Sequence, residues 1–249
     1  MHPAALRVRI REVEPGTSSR LPGGPRGAAA LRTATFMLCS LLLSSAASVA
    51  RDASLPAHLD NTRRWHFEVL LDGKPIGEHE FAITQRAQGV EVWTRAHFRV
   101  KAFFVPLYAY DHQDHEIWRG GCLAQIDAET SDNGRKFTVH GHLAGPSFEV
   151  RGPQGAATLP ACVKSFAYWD MSELGEHRLL NAQSGEYEPV ELSRHGIDSL
   201  LTQGHRVEAE HYSLTARKFS IDLWYSHSGE WLALESHTGQ GRTLRYELR

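Results

Sequence analysis

The sequence is short of long hydrophobic runs, of cysteine and of positive charge. Its one strongly apolar run is residues 34–50, ATFMLCSLLLSSAASVA, which carries no charge and follows Arg32. Its apolar centre, residues 36–43, is too short to span a bilayer. It ends in Ser48-Val49-Ala50, small residues of the kind a signal peptidase reads, and charge resumes with Arg51-Asp52. The reading is an N-terminal extension with a cleavable signal peptide over 1–50, cut after Ala50, and a single β-rich domain over 51–249. Cys39 follows Phe36-Met37-Leu38 rather than a small residue, which argues against a lipid anchor. The Arg/Gly/Pro/Ala-rich stretch 1–31 exceeds an ordinary charged leader and points to a translation start nearer Leu31. The expected compartment is the periplasm or the exterior of a bacterial cell, with no transmembrane segment after cleavage.

Basic residues are scarce in the remainder. Six of the 27 basic and two of the 29 acidic residues fall in 1–50, which leaves 21 against 27 and a net charge of −6. Such a chain lacks the basic face that a nucleic-acid partner requires. Of three cysteines, two remain after cleavage, Cys122 and Cys162. An even count in an oxidising compartment predicts a disulfide between them. They lie too far apart for a C-x-x-C redox pair.

Signature motifs of catalysis are lacking too. There is no G-x-S-x-G elbow, P-loop or dinucleotide fingerprint. Gly120-Gly121 and Gly239-Gln240-Gly241 read as turn glycines, and Ser193-Arg194-His195 has no supporting context.

Alternation of apolar and polar residues is what the sequence does have. Trp65, Phe67, Val69 and Leu71 share one face, Asp72-Gly73-Lys74-Pro75 turns the chain, and Phe81 and Ile83 return inward. Further extended runs cover 90–105 and 107–118. Asn133-Gly134 between two such runs marks a tight hairpin, because both central residues must take positive φ. Residues 163–181, with Phe166, Trp169, Leu174, Leu179 and Leu180, suit a short helical element better than a strand. Strands resume over 187–192, 204–212 and 212–225, followed by two more to the C-terminus. Ten or eleven strands joined by short turns predict an all-β, mainly antiparallel fold. The long strands favour a strongly curled sheet forming a barrel or half-barrel cup, with the helical element near its mouth.

Three stretches carry a resemblance: the opening DGKPIGEHEF (72–81), the centre FAYW (166–169) with LLNAQSGE (179–186), and the closing DLWYSHSGEWLALE (222–235). Together they resemble an uncharacterised family of secreted bacterial β-rich domains, a domain of unknown function. The resemblance implies the fold and the compartment, and it points first to Trp169, Asn181 and Gln183 should family residues mark a site.

Two constellations bear on chemistry. Fourteen of the fifteen histidines follow residue 50. His140 and His142, two apart on a strand, share a face and suit a divalent metal. His112, His115 and Glu116 sit in YDHQDHE (110–116) and could serve as acid and base, although His112 and His115 face opposite ways on a regular strand. Aromatic residues form the other set: Phe103, Phe104, Tyr108, Tyr110 and Trp118 along one run, and Phe166, Tyr168 and Trp169 in the helical element. With Asn181 and Gln183, Tyr108, Tyr110, Trp118, Tyr168 and Trp169 are the candidate ligand-binding residues. The expected function is binding or carriage of an apolar or amphipathic, lipid-like small molecule in the cup, with no cofactor. The alternatives are a metal-dependent or acid/base hydrolase using the His-rich strands, and an envelope assembly partner that binds another protein.

Overall fold

The structure is a computed structural model that describes residues 61–102, 105–238 and 241–249. The expected signal peptide, its cleavage point, Cys39, and Phe103 and Phe104 all lie outside the described residues.

Fourteen strands make up one antiparallel sheet: β1 (Thr62–Leu71), β2 (Lys74–Arg86), β3 (Gly89–Ala102), β4 (Val105–Arg119), β5 (Cys122–Asp132), β6 (Arg135–Ala144), β7 (Ser147–Gly152), β8 (Gly155–Pro160), β9 (Arg178–Leu180), β10 (Tyr187–Thr202), β11 (His205–Ala216), β12 (Phe219–Tyr225), β13 (Trp231–His237) and β14 (Thr243–Leu248). Their spatial order is β8-β7-β6-β5-β4-β3-β2-β1-β14-β13-β12-β11-β10-β9. The chain therefore meanders outward from β1 to one edge, crosses to the other edge, and meanders back until β14 pairs with β1. Edge strands β8 and β9 share no ladder among the described residues.

Local sequence explains most of these elements. On β1 the alternating Trp65, Phe67, Val69 and Leu71 are buried, as are Phe81 and Ile83 on β2. The β1–β2 turn places Asp72 at φ 51° and Gly73 at φ 73°, and the β5–β6 turn places Asn133 at φ 48° and Gly134 at φ 85°. These are the two-residue turns with positive φ whose twist matches the strands they join. The buried faces merge into one cluster that reaches from Phe148 and Val150 on β7 to Leu214 and Ile221 on β11 and β12. Its centre is aromatic: Phe67 lies 4.3 Å from Trp231 and Phe98 stacks 5.3 Å from Tyr110.

Three expectations need correction. Residues 163–181 are not one helical element but an irregular segment holding a 3-10 turn, Met171–Gly175, and the short strand β9. Leu179 and Leu180 are extended because β9 pairs with Tyr187–Pro189 of β10, and a sheet edge satisfies their backbone better than a lone helical turn would. The run 212–225 is split, since a turn at Arg217–Lys218 separates β11 from β12. Conversely β10 runs on to Thr202, because its polar second half is paired along β11. The strand count rises accordingly.

The segment between β8 and β9 is firmly held. Cys122 and Cys162 form a disulfide across a sequence separation of 40 residues. Leu123 N donates to Val163 O at 2.9 Å, Leu180 N to Lys164 O at 2.7 Å, and the Tyr225 hydroxyl to Tyr168 O at 2.9 Å. Lys164 pairs with Glu173 and also donates to Gly121 O. Closing a loop of this length in the unfolded chain is worth roughly 4 kcal/mol in the chain-entropy treatment. Replacing both cysteines by alanine should therefore lower the unfolding free energy by about that amount. Urea unfolding of the variant beside the oxidised protein measures it, and unchanged stability would show that the bond constrains nothing.

Candidate functional site

The inward face of β4 is unlike the other strand faces. Its alternate residues Tyr108, Tyr110, His112, Asp114, Glu116 and Trp118 are all buried, so four titratable types line an interior otherwise built of hydrocarbon and rings. Strand parity puts them there, because residues two apart on a strand share a face. Lateral register supplies their neighbours. His79 of β2, Ala96 of β3, His112 of β4 and Thr130 of β5 stand in one row, while Thr94, Asp114 and Ala128 stand in the next. The small Ala96 is all that separates the two imidazole positions.

Each polar group has a distinct environment. His112 Nδ1 lies 2.8 Å from Thr130 Oγ1, and His112 Nε2 has no hydrogen-bond partner. Both ring nitrogens of His79 lack one as well, and that ring packs 4.1 Å from Phe81 and 5.6 Å from Tyr246. Burial holds both imidazoles well below the usual histidine range, so both are neutral at pH 7. Burial first, and then the Glu116 carboxylate beside it, push Asp114 well above the usual carboxyl range. Glu116 is also raised by burial, but hydrogen bonds from Ser165 and Trp118 oppose the rise, and Trp118 Nε1 donates to Glu116 Oε2 at 2.8 Å. The interaction between the two carboxyls raises Asp114 and lowers Glu116, which favours the proton on Asp114, whose buried Oδ1 has no hydrogen-bond partner.

The candidate residues distribute as follows. Tyr108, Tyr110, Trp118 and Tyr168 are buried within the aromatic core. The Tyr108 hydroxyl has no hydrogen-bond partner, whereas the Tyr110 hydroxyl donates to Gln183 Oε1 at 3.4 Å. Asn181 is buried and shapes the chain: its Oδ1 accepts from Gln183 N at 2.9 Å and Ser184 N at 3.2 Å, and its Nδ2 donates to Glu188 Oε1 at 2.8 Å. It closes an Asx turn ahead of Gly185 at φ 70°. Trp169 lines a cleft, and its ring meets Trp118 edge-on at 5.8 Å. Of the acid/base trio, His112 and Glu116 face inward. His115 faces outward, stacked 3.9 Å from Trp93 and bonded to Glu91 at 3.1 Å. His140 and His142 do share the outer face of β6, with His140 Nδ1 2.8 Å from Asp127 Oδ1. His79 is a further buried polar residue outside the predicted set; its position on β2, two residues before the inward Phe81, is the sequence signal that places it inside.

The cleft beside Trp169 is open to solvent and has a volume of about 740 Å³. Trp65, Ile83, Trp169 and Met171 give it apolar walls, and Arg63, Gln85 and Asp170 give it polar edges. Asp170 caps the 3-10 turn by accepting from Ser172 N at 3.0 Å, which fixes the backbone beside Trp169. The Arg63 guanidinium lies 4.5 Å over the Trp65 ring, whose buried Nε1 has no hydrogen-bond partner.

This chain belongs to the family described as domain of unknown function DUF6134, whose family model matches residues 67–249. That agrees with the resemblance carried by the opening, central and closing stretches. No curated protein and no solved structure matches the chain.

The buried acid gives a pH test. A carboxyl raised in the folded state keeps its proton where the unfolded chain has lost it, so its contribution to stability falls as pH rises from the unfolded value, about 3.9. His79 and His112 act in the opposite sense, because their neutral folded forms lose stability as pH falls below about 6.5. Asp114→Asn removes only the first effect. Its stability relative to the parent should improve with pH from about 4 upward, by up to about 1.4 kcal/mol per unit, until Asp114 ionises. Urea unfolding at several pH values measures this, and a pH-independent difference would mean that folded Asp114 is an ordinary carboxylate.

Proposed function

We propose that this is an exported binding protein that holds an apolar or amphipathic small molecule, lipid-like in character, at the cleft beside Trp169. The observation that carries the reading is the cleft itself. Its size lies within the range of small-molecule sites, and four apolar side chains, Trp65, Ile83, Trp169 and Met171, share its lining with polar ones, as suits an amphipathic ligand. The expected half-barrel cup fits this reading. A buried cluster shared by β7 and β11, in a sheet this wide, favours a sheet curled around its own core. The approach of Gly152, at the end of β7, to Ser184 and Gly185 points the same way. In such a cup the 163–177 segment stands at the mouth and Trp169 on its inner side. The disulfide supports an oxidising compartment, and with the expected signal peptide it favours the periplasm or exterior. No described helix is long and apolar enough to cross a membrane. The hydrolase reading has less support, because His115 points away from His112 and Glu116.

Native mass spectrometry of the mature protein, purified without detergent, should detect a retained organic mass. Trp169→Ala should lose that mass. It should also weaken binding of the neutral fluorescent probe N-phenyl-1-naphthylamine at least tenfold, with the unfolding midpoint kept near that of the parent. A protein that arrives without organic mass, and whose probe affinity is indifferent to Trp169→Ala, would overturn the reading.

A further inference from the structure

The β10–β11 hairpin extends beyond the sheet. β12 pairs with β11 only over Glu210–Ala216, so β11 residues 205–209 and the facing part of β10 project as a two-stranded arm. The arm folds onto the outer face of the sheet, where Leu200 and Ala209 join Trp224, Leu232 and Ala233 in a second, small buried cluster. At its base the β10–β11 register shifts between Arg194 and Gly196, which leaves His195 as the bulged residue and Gly196 at φ 113°. A bulge bends the strand and re-aims one side chain. Here it brings His195 over β11, with its ring 4.8 Å from that of His211.

We propose that this bend is a binding site for a divalent cation of the zinc class, with His195, His211 and Asp222 as its protein ligands. One donor atom from each residue lies within 4.8 Å of the other two. His211 Nε2 is 2.9 Å from Asp222 Oδ1. Ser213 Oγ joins the remaining ligand to the set, at 2.7 Å from both His195 Nε2 and Asp222 Oδ1. Ligands of one tetrahedral zinc stand about 3.4 Å apart, given metal–donor bonds of about 2.0–2.1 Å, so small side-chain shifts complete the coordination. Water fills the fourth position.

A second, independent feature distinguishes this cluster from histidines that merely share a surface. The other nitrogen of His211, Nδ1, lies 3.0 Å from Asp198 Oδ2. A metal-binding histidine characteristically donates its second N–H to a carboxylate, which fixes the tautomer and leaves the first nitrogen free for the metal. Asp198 is itself held by Trp224 Nε1 at 3.1 Å, and the Trp224 ring lies parallel to His211 at 4.8 Å and 14°. The ring plane and rotation of His211 are thus set from two sides. Asp198 and Asp222 together supply two negative charges opposite a dication. The group His66, Glu78 and Glu80 also converges, but all three are exposed.

The test is calorimetric titration of the EDTA-dialysed mature protein with Zn²⁺, accompanied by thermal unfolding and by the visible spectrum of the Co²⁺ form. One saturable ion per chain, a raised unfolding temperature and the intense absorption of tetrahedral Co²⁺ are expected. His195→Ala, at an exposed position, should weaken binding at least tenfold without changing the unfolding temperature of the metal-free protein. Asp198→Asn should weaken it about 10- to 100-fold. The double variant His140→Ala/His142→Ala should bind like the parent. Absence of saturable binding, an affinity indifferent to His195→Ala, or loss of binding in the His140/His142 variant would each overturn the assignment.

Discussion

The ladder between β1 and β14 is the contact on which the sheet depends. It pairs Phe67 with Leu248, Val69 with Tyr246 and Leu71 with Leu244, and so joins the first strand of the domain to the last. Without it the chain would be two meanders, each with half a core and an extra open edge. The joint is reinforced at one end, where the Asp72 carboxylate accepts from Thr243 N at 2.9 Å and Arg242 Nε at 2.6 Å while Asp72 N donates to Thr243 O at 2.8 Å. The Arg242 hydrogen bond holds Asp72 below the usual carboxyl range. Nearly the whole domain lies between the paired strands, so this contact is as non-local as the topology permits. Such pairings form only after a large loss of chain entropy. The burial of Phe67, Trp231 and Tyr246 against one another rewards that closure.

The same core makes the polar face of β4 expensive. A buried polar group without a hydrogen bond costs on the order of 1–3 kcal/mol, and a buried charge costs more. The interior lowers that cost by discharging its groups: His79 and His112 stay neutral and Asp114 keeps its proton. Glu116 gains donors from Trp118, Ser165 and Asp114. A line of contacts then leads outward, from Asp114 through Glu116 and Trp118 to Trp169 at the cleft. Natural cores place polar residues inside where they specify one arrangement or perform a task, and β4 connects its set to Trp169, a predicted ligand residue at the cleft.

Much of this was legible in the residues. Alternation on β1 and β2, the Asp72-Gly73 and Asn133-Gly134 turns, and the even pair Cys122 and Cys162 all follow from local rules. Strand parity also separated His112 from His115. The remainder depends on partners distant in sequence. The second half of β10, SRHGIDSLLT, has no clean alternation, and only its pairing with β11 makes it a strand. A register shift cannot be read from one strand, so in sequence His195 has no context beyond Ser193 and Arg194. Leu179 and Leu180 suggested a helix because their extension depends on Tyr187. Asn181 stands in the LLNAQSGE stretch, and an Asn four residues before a Gly marks a turn, which is how the fold uses it.

The cleft and the outer-face cluster draw on separate supports. The cleft wall formed by Trp169 and Met171 belongs to the segment that begins at Val163, immediately after Cys162. Its position depends on the disulfide, on Leu123 N to Val163 O and on Lys164. His195, His211 and Asp222 instead sit on β10, β11 and β12, whose adjacent ladders involve neither cysteine. Reduction of the Cys122–Cys162 bond therefore loosens the first and leaves the second in place, because backbone pairing and the Asp198–Trp224 clamp suffice to hold it. Any dependence of cation binding on the disulfide would have to travel through the shared core, where the Tyr225 hydroxyl donates to Tyr168 O and the Phe166 ring lies 5.7 Å from that of Phe219. Both contacts tie the crossing segment to β12, and they make Phe219 and Tyr225 residues of that strand through which the two sites could communicate.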